Sequence, residues 1–159
     1  KDQRLYHVML TICTTGIRVS ELRFITAETL ASGRTEIRLK GKSRVVLLPR
    51  ELAQRLRQYA QARGIRSGPL FRTRTGMPLD RSNIWREMKT LCREAGVAPE
   101  KVFPHNLRHL FARSFYEQEK DLAHLADILG HSSIETTRIY VAVSTQVHEQ
   151  MLQRMRLIL

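Results

Sequence analysis

The apolar spacing of this chain changes period once and then changes back, which narrows the folds open to it. Leu5, Val8, Met9 and Ile12 recur at helical spacing, predicting a helix over residues 3–14 that runs into Thr15-Gly16. A short helical piece follows from Val19 to Phe24. From Thr35 to Leu48 the pattern alternates instead. Ile37 and Leu39 are interleaved with Glu36 and Arg38, Lys40 to Ser43 form a polar turn, and Val45 to Leu48 is an apolar run ended by Pro49. That is a β-hairpin. Helical spacing then resumes. Leu52, Leu56 and Tyr59 share a face with Gly64 as the stop. Ile84, Met88 and Leu91 follow a cap at Asp80 or Ser82 and end at Gly96. Pro104 opens a helix that runs to about Tyr116, and Asp121 to Leu129 is another, stopped by Gly130. Ser132 and Glu135 have capping-box spacing ahead of a short helix leading to Tyr140. Val147, Met151, Met155 and Ile158 predict an amphipathic terminal helix whose other face carries His148, Gln150 and Arg154. The expected class is α+β, mainly helical, with one small antiparallel hairpin.

At 159 residues, without internal repeats or low-complexity tracts, the chain fits one domain over 1–159 with a real core. A hydrophobic content of 42% excludes a largely disordered chain. The 27 Lys and Arg against 15 Asp and Glu leave a net charge of +12, which suits a polyanion, nucleic acid first. The basic residues are spread along the chain, and no apolar run approaches the roughly 20 residues that span a bilayer. No signal-peptide pattern is present. Cys13 and Cys92 belong to no C-x-x-C pair and fall at apolar helical positions, so both are expected as reduced, buried thiols in a cytoplasmic protein. The chain starts at Lys1 inside an amphipathic stretch, and is expected to be a fragment lacking an N-terminal part.

Three motifs carry chemistry. Thr15-Gly16-Ile17-Arg18-Val19-Ser20-Glu21-Leu22 places an arginine after a helix-breaking glycine, enclosed by apolar neighbours. His105-Asn106-Leu107-Arg108-His109 places His105 and Arg108 on one helical face, able to reach one phosphate together, with His109 turned elsewhere as a structural residue. Leu129-Gly130-His131 puts a histidine just past a helix stop, nine residues before Tyr140. Arginine suits charge that develops on non-bridging phosphate oxygens, because it is always charged and binds two oxygens at once. Singly, each motif is weak, and their order and spacing together make the case for attack on a phosphodiester.

With these motifs the chain resembles the catalytic domain of the tyrosine recombinases, the integrases and Xer-type resolvases of phages, mobile elements and chromosomes. The resemblance extends over essentially all 159 residues. It implies that Arg18, His105, Arg108 and His131 bind and polarise the scissile phosphate. Tyr140 attacks it, leaving a 3′-phosphotyrosine and a free 5′-hydroxyl, without metal or ATP. The family's general acid is a lysine in a hairpin turn, and here Lys40 and Lys42 are both available. The Lys-Gly start and the following Arg44 favour Lys40, whereas alternation adds nothing, since both lysines share sequence parity with Arg38. Lys42, Arg38 and Arg44 are then expected as DNA contacts, and Glu21 as the residue that orients Arg18 or a neighbouring lysine. The implied partner is double-stranded DNA at recombination sites, bound in a bacterial, DNA-associated protein by a homotetramer. The free fragment is expected to be monomeric, and the N-terminal core-binding domain to be absent. The resemblance further implies that the terminal apolar stripe packs on a neighbouring protomer.

Two other classes compete. A non-catalytic DNA-binding module of the same fold accounts for the charge but not for tyrosine and histidine at these positions. A metal-dependent nuclease accounts for histidines but needs an acidic cluster near His105 and His131, which the sequence lacks. A type IB topoisomerase shares the chemistry, and His131 with the compact spacing favours a recombinase over it.

Overall fold

A computed structural model describes residues 3–39, 41–139, 150 and 154. Lys40, Tyr140 and the apolar stripe Val147, Met151, Met155 and Ile158 lie outside the described residues, as does His148. Gln150 and Arg154 are helical and exposed.

Helix α1, Arg4–Thr15, is built on the predicted spacing: Val8 and Ile12 are fully buried, and Gly16 ends the helix at φ +64°. Its polar residues are absorbed locally. Thr11 donates to the His7 carbonyl and Thr15 to the Thr11 carbonyl, both at 2.7 Å. Chain direction then reverses through Ile17, fully buried, into a 3₁₀ helix over Val19–Phe24. A four-residue helix, α2, Thr29–Ser32, precedes the hairpin.

Strands β1, Arg34–Leu39, and β2, Lys42–Leu47, pair antiparallel from Arg34↔Leu47 to Leu39↔Lys42. The connection is shorter than the polar turn expected over Lys40–Ser43. Ser43 and Lys42 remain in the ladder because Gly41, at φ +74°, supplies the left-handed conformation that a tight hairpin turn requires. This register also overturns the parity argument, because parity does not carry across the turn. Lys42 lies opposite Leu39, so it shares the face of Thr35 and Ile37, whereas Arg38 lies on the opposite face with Glu36. The apolar run splits in the same way. Val46 and Leu48 are buried, while Val45 and Leu47 are 53% and 69% exposed.

Helix α3, Arg50–Ala62, buries Leu52, Leu56 and Tyr59. Helix α4, Arg81–Ala95, is capped by Asp80, which accepts from the Asn83 amide at 2.7 Å, and ends at Gly96 as expected. These two helices cover α1, forming a core of Val8, Ile12, Leu56, Ile84 and Met88. Each such burial contributes about 1.5–3 kcal/mol. A 3₁₀ turn, Pro99–Lys101, leads to α5, Pro104–Glu119, which runs past the expected end near Tyr116 and stops where Lys120 adopts φ +55°. Helix α6, Leu122–Leu129, packs Leu125 and Leu129 on Ala112, Phe111 and Phe115 of α5. Helix α7, Ile134–Arg138, starts one residue later than expected. Ser133, not Ser132, is the cap, its hydroxyl accepting from the Glu135 amide at 3.1 Å. The His131 amide bonds the Ala126 carbonyl at 2.9 Å, so the preceding helix's end displaces Ser132 into the link. Cys92 is buried as expected, and Cys13 is half-buried.

Gly16 holds more than a turn. A Cβ there would lie 2.4 Å from Phe111 Cδ1 and 2.9 Å from Leu129 Cδ2, so its bare backbone is what lets α5 and α6 close on the end of α1. Gly16→Ala should therefore cost at least ~2 kcal/mol, strain and overpacking together. Gly64→Ala, where φ is +63° and nothing lies within 4 Å, should cost only the conformational strain of about 1–2 kcal/mol. Urea midpoints of the two variants check the difference; equal losses would show that the close approach is not tight.

Candidate active site

The site grows from the ends of helices. Arg108, on the first turns of α5, is 3% exposed. Its guanidinium donates to the carbonyl of Gly16, at the end of α1, and to the Leu129 carbonyl, at the end of α6, the latter at 2.8 Å. Both acceptors belong to the negative ends of helix dipoles, where a cation is favoured. The same nitrogen contacts His131 Nε2 at 3.1 Å. Arginine only donates, so Nε2 accepts, and the ring proton sits on Nδ1, which faces Thr137 Oγ1 at 2.8 Å. Thr137, fully buried on α7, thus sets the tautomer and angle of His131.

Arg18 and Glu21 form a second unit. The Glu21 carboxylate is 1% exposed as a residue and accepts four hydrogen bonds. Two come from Arg18, its amide at 2.9 Å and its guanidinium at 3.0 Å. The other two come from Arg44 in a bidentate pair at 2.7 and 2.8 Å. Burial pushes the Glu21 carboxyl up, but the Arg44 and Arg18 hydrogen bonds and charges outweigh it and hold the group below the usual carboxylate range. Glu21 therefore holds both the amide and the guanidinium of Arg18. Arg44 departs from its expected role. Its guanidinium faces inward onto Glu21, its Nε donates to the Ile128 carbonyl at 3.3 Å, and Gly130 packs against its side chain. It ties β2 to the end of α6 instead of facing solvent as a DNA contact.

Two cavities meet at Arg18, Ser20 and His131. One, of about 470 Å³, is lined by Arg18, His105, Arg108 and His131, with Arg81, Trp85 and Phe103. The other, of about 840 Å³, runs under the hairpin between Leu39, Lys42, Arg44 and Ser132. Lys42 is thus in the cleft. Arg38 is not: it lies on the far face of the hairpin, paired to Glu36 at 2.8 Å. His105 is exposed at the mouth, and His109 is half-buried with its ring 4.6 Å from that of His105. Sequence reasoning missed Thr137, Arg81, Trp85 and Phe103. For the first, six residues from His131, no spacing rule applies; for the other three, the signal was an apolar or basic residue on the polar side of its segment.

The cleft is cationic, and its histidines respond. Burial lowers His131 first, and the charges of Arg108, Arg18 and Arg44 lower it further, to about 4. His105 is lowered by burial and then by Arg108 and Arg81. His109 is lowered by burial and then by His105, Arg113 and Arg108. Because the folded value of His131 lies below the unfolded value of 6.5, its contribution to stability is complete above pH 6.5 and is lost as pH falls toward 4. An NMR titration should show His131 neutral at pH 6 and half-protonated near pH 4. A midpoint at 6.5 or above would mean the arginines do not crowd it.

Residues 1–147 match the model of the phage integrase family. Among curated relatives, the tyrosine recombinase XerA of Thermococcus kodakarensis is 34% identical over 146 residues, covering 87% of this chain and 51% of that protein. Tyrosine recombinase XerC of Pseudomonas entomophila is 36% identical over 153 residues, covering 92% and 49%. The chain thus spans about half the length of the curated relatives it matches. The crystal structure of XerA recombinase superposes with a TM-score of 0.79 at 31% identity, over 98% of this chain and 57% of that one. XerH site-specific recombinase bound to difH substrate, a pre-cleavage complex, gives 0.75 at 28% identity, over 96% and 47%. The fold, with its small antiparallel hairpin among helices, is that of tyrosine-recombinase catalytic domains. By its sequence match and by the structures it superposes on, the chain belongs to the phage integrase family.

Proposed function

We propose that this chain carries the strand-cleaving and strand-joining chemistry of a site-specific DNA recombinase. The observation that supports it most is the convergence of Arg18, Arg108, His105 and His131 on one cavity. A phosphodiester seated there meets Arg18 at the rim and the Arg108–His131 unit on the floor, which stabilise charge developing on its non-bridging oxygens. Tyr140 Oη attacks phosphorus, the bond to the 5′-oxygen breaks, and a 3′-phosphotyrosine forms. His105, at the mouth of the cavity with its pKa lowered by partial burial and by the charges of Arg108 and Arg81, is placed to take the phenolic proton. A hairpin lysine gives a proton to the departing 5′-oxygen. We assign that role to Lys40, with Lys42, which lines the hairpin cavity, as the competing donor. Attack by the 5′-hydroxyl of a second strand reverses the step, so the bond energy is conserved in the protein–DNA link.

The relatives named as tyrosine recombinases, and the XerH complex with its difH substrate, support double-stranded DNA as the partner. Among the described residues no helix is long and apolar enough to cross a membrane. In the whole protein we propose assembly as a homotetramer on DNA, with an N-terminal core-binding domain that holds the DNA together with this one.

A nicked suicide duplex tests the reaction. The protein should give a covalent, SDS-resistant adduct in EDTA, and Tyr140→Phe should abolish it while changing DNA affinity less than threefold. Simple retention without adduct would leave a DNA-binding module, and an adduct from the Phe variant would move the nucleophile elsewhere. A 5′-bridging phosphorothiolate separates the lysines, since a thiolate leaves without a proton. Lys40→Ala should be slow on normal DNA and restored by sulfur; restoration seen with Lys42→Ala alone would shift the general acid by two positions.

A further inference from the structure

Helix α4 buries Ile84, Met88 and Cys92 in the core and presents Arg81 and Trp85 to the phosphate cavity. The two are four residues apart and so share a helical face. Trp85 is 52% exposed, although it is the chain's single tryptophan and has no polar core role. Its ring is backed by Lys89, whose ammonium lies 5.4 Å from the ring centroid and 5.8 Å from that of Phe103. Lys89 is itself anchored to the carbonyls of Pro99 and Val102. Phe103 lines the same cavity, so part of its lining is aromatic. Arg81 is exposed, forms no ion pair among the described residues, and lies close enough for its charge to lower His105.

A bare phosphate group has no use for an aromatic wall. A DNA strand does, because each deoxyribose offers an apolar face beside the charge, and an aromatic ring packs on it without regard to sequence. An exposed indole held from behind by a cation and edged by an arginine is the composition that such a ligand fits. Resting on the DNA-cleaving function proposed above, we propose that Trp85 and Arg81 form a nucleotide-docking wall. Trp85 takes the deoxyribose next to the scissile phosphate, and Arg81 takes the adjoining phosphate. The wall fixes the direction in which the strand crosses Arg18 and Arg108, and so the side from which Tyr140 must approach.

With one tryptophan in the chain, its fluorescence reports this wall alone. The protein is titrated with a fluorescein-labelled 20-base-pair duplex of mixed sequence at low salt, binding being followed by anisotropy and Trp85 emission in parallel. Saturating duplex should quench and blue-shift the emission, whereas inorganic phosphate should leave it unchanged. Trp85→Ala should weaken duplex binding roughly tenfold, and Trp85→Phe should recover most of that loss. Circular dichroism should show both variants folded, as expected for an exposed side chain. Unchanged emission on a bound duplex, or equal quenching by phosphate alone, would overturn the wall and leave the recombinase reading intact. No anisotropy change at all would sink both.

Discussion

One guanidinium holds the site together. Arg108 draws the carbonyl ends of α1 and α6 onto a single buried charge and sets His131 against it. Helix α1 is distant in the chain from the consecutive helices α5 and α6, and each brings one feature of the site: the turn before Arg18, the His105–Arg108 pair, and His131. Burying an arginine is costly unless its donors are satisfied. Here the satisfying acceptors are the otherwise unpaired carbonyls of helix ends, so each group meets the other's need. The charge proposed to meet the phosphate is therefore held in place by the protein itself, which is the condition for electrostatic stabilisation without reorganisation.

The Glu21 cluster solves the complementary problem. Arg18 must stay partly open to a ligand, yet its side chain has to be aimed. The carboxylate fixes the Arg18 amide and guanidinium from one side and is neutralised from the other by Arg44. The arginines outnumber the glutamate and leave the cleft with net positive charge, which adds to burial in lowering His131. A docked phosphate would relieve that crowding and favour the protonated ring, so ligand binding and histidine protonation are coupled by the same field.

Much of this was legible in the sequence because the signals were local. Helix ends at Gly16, Gly96 and Gly130 follow from the left-handed backbone each requires; the Arg18 and His131 motifs sit at the first and last of these, and the His105 motif follows the helix start at Pro104. Where reasoning failed, the deciding fact was not local. The Leu39↔Lys42 register depends on a turn whose length the composition of Lys40–Ser43 does not specify. Arg44 resembles a solvent-facing strand cation until Glu21, 23 residues away, claims it in a buried pair. Thr137 matters only because α7 brings it under the His131 ring. Trp85 falls on the outward face of an amphipathic helix, and only the position of α5 beside it makes that face part of a site.

The central claim is that Arg18, Arg108, His105 and His131 bind one phosphoryl group in its transition-state geometry. Co-crystallising the protein with orthovanadate, a five-coordinate mimic of that geometry, tests it most directly. Vanadate should occupy the smaller cavity with oxygens within hydrogen-bonding distance of Arg18 and Arg108 and an apical position toward Tyr140. Vanadate bound elsewhere, with this cavity occupied only by solvent at saturating concentration, would contradict the account.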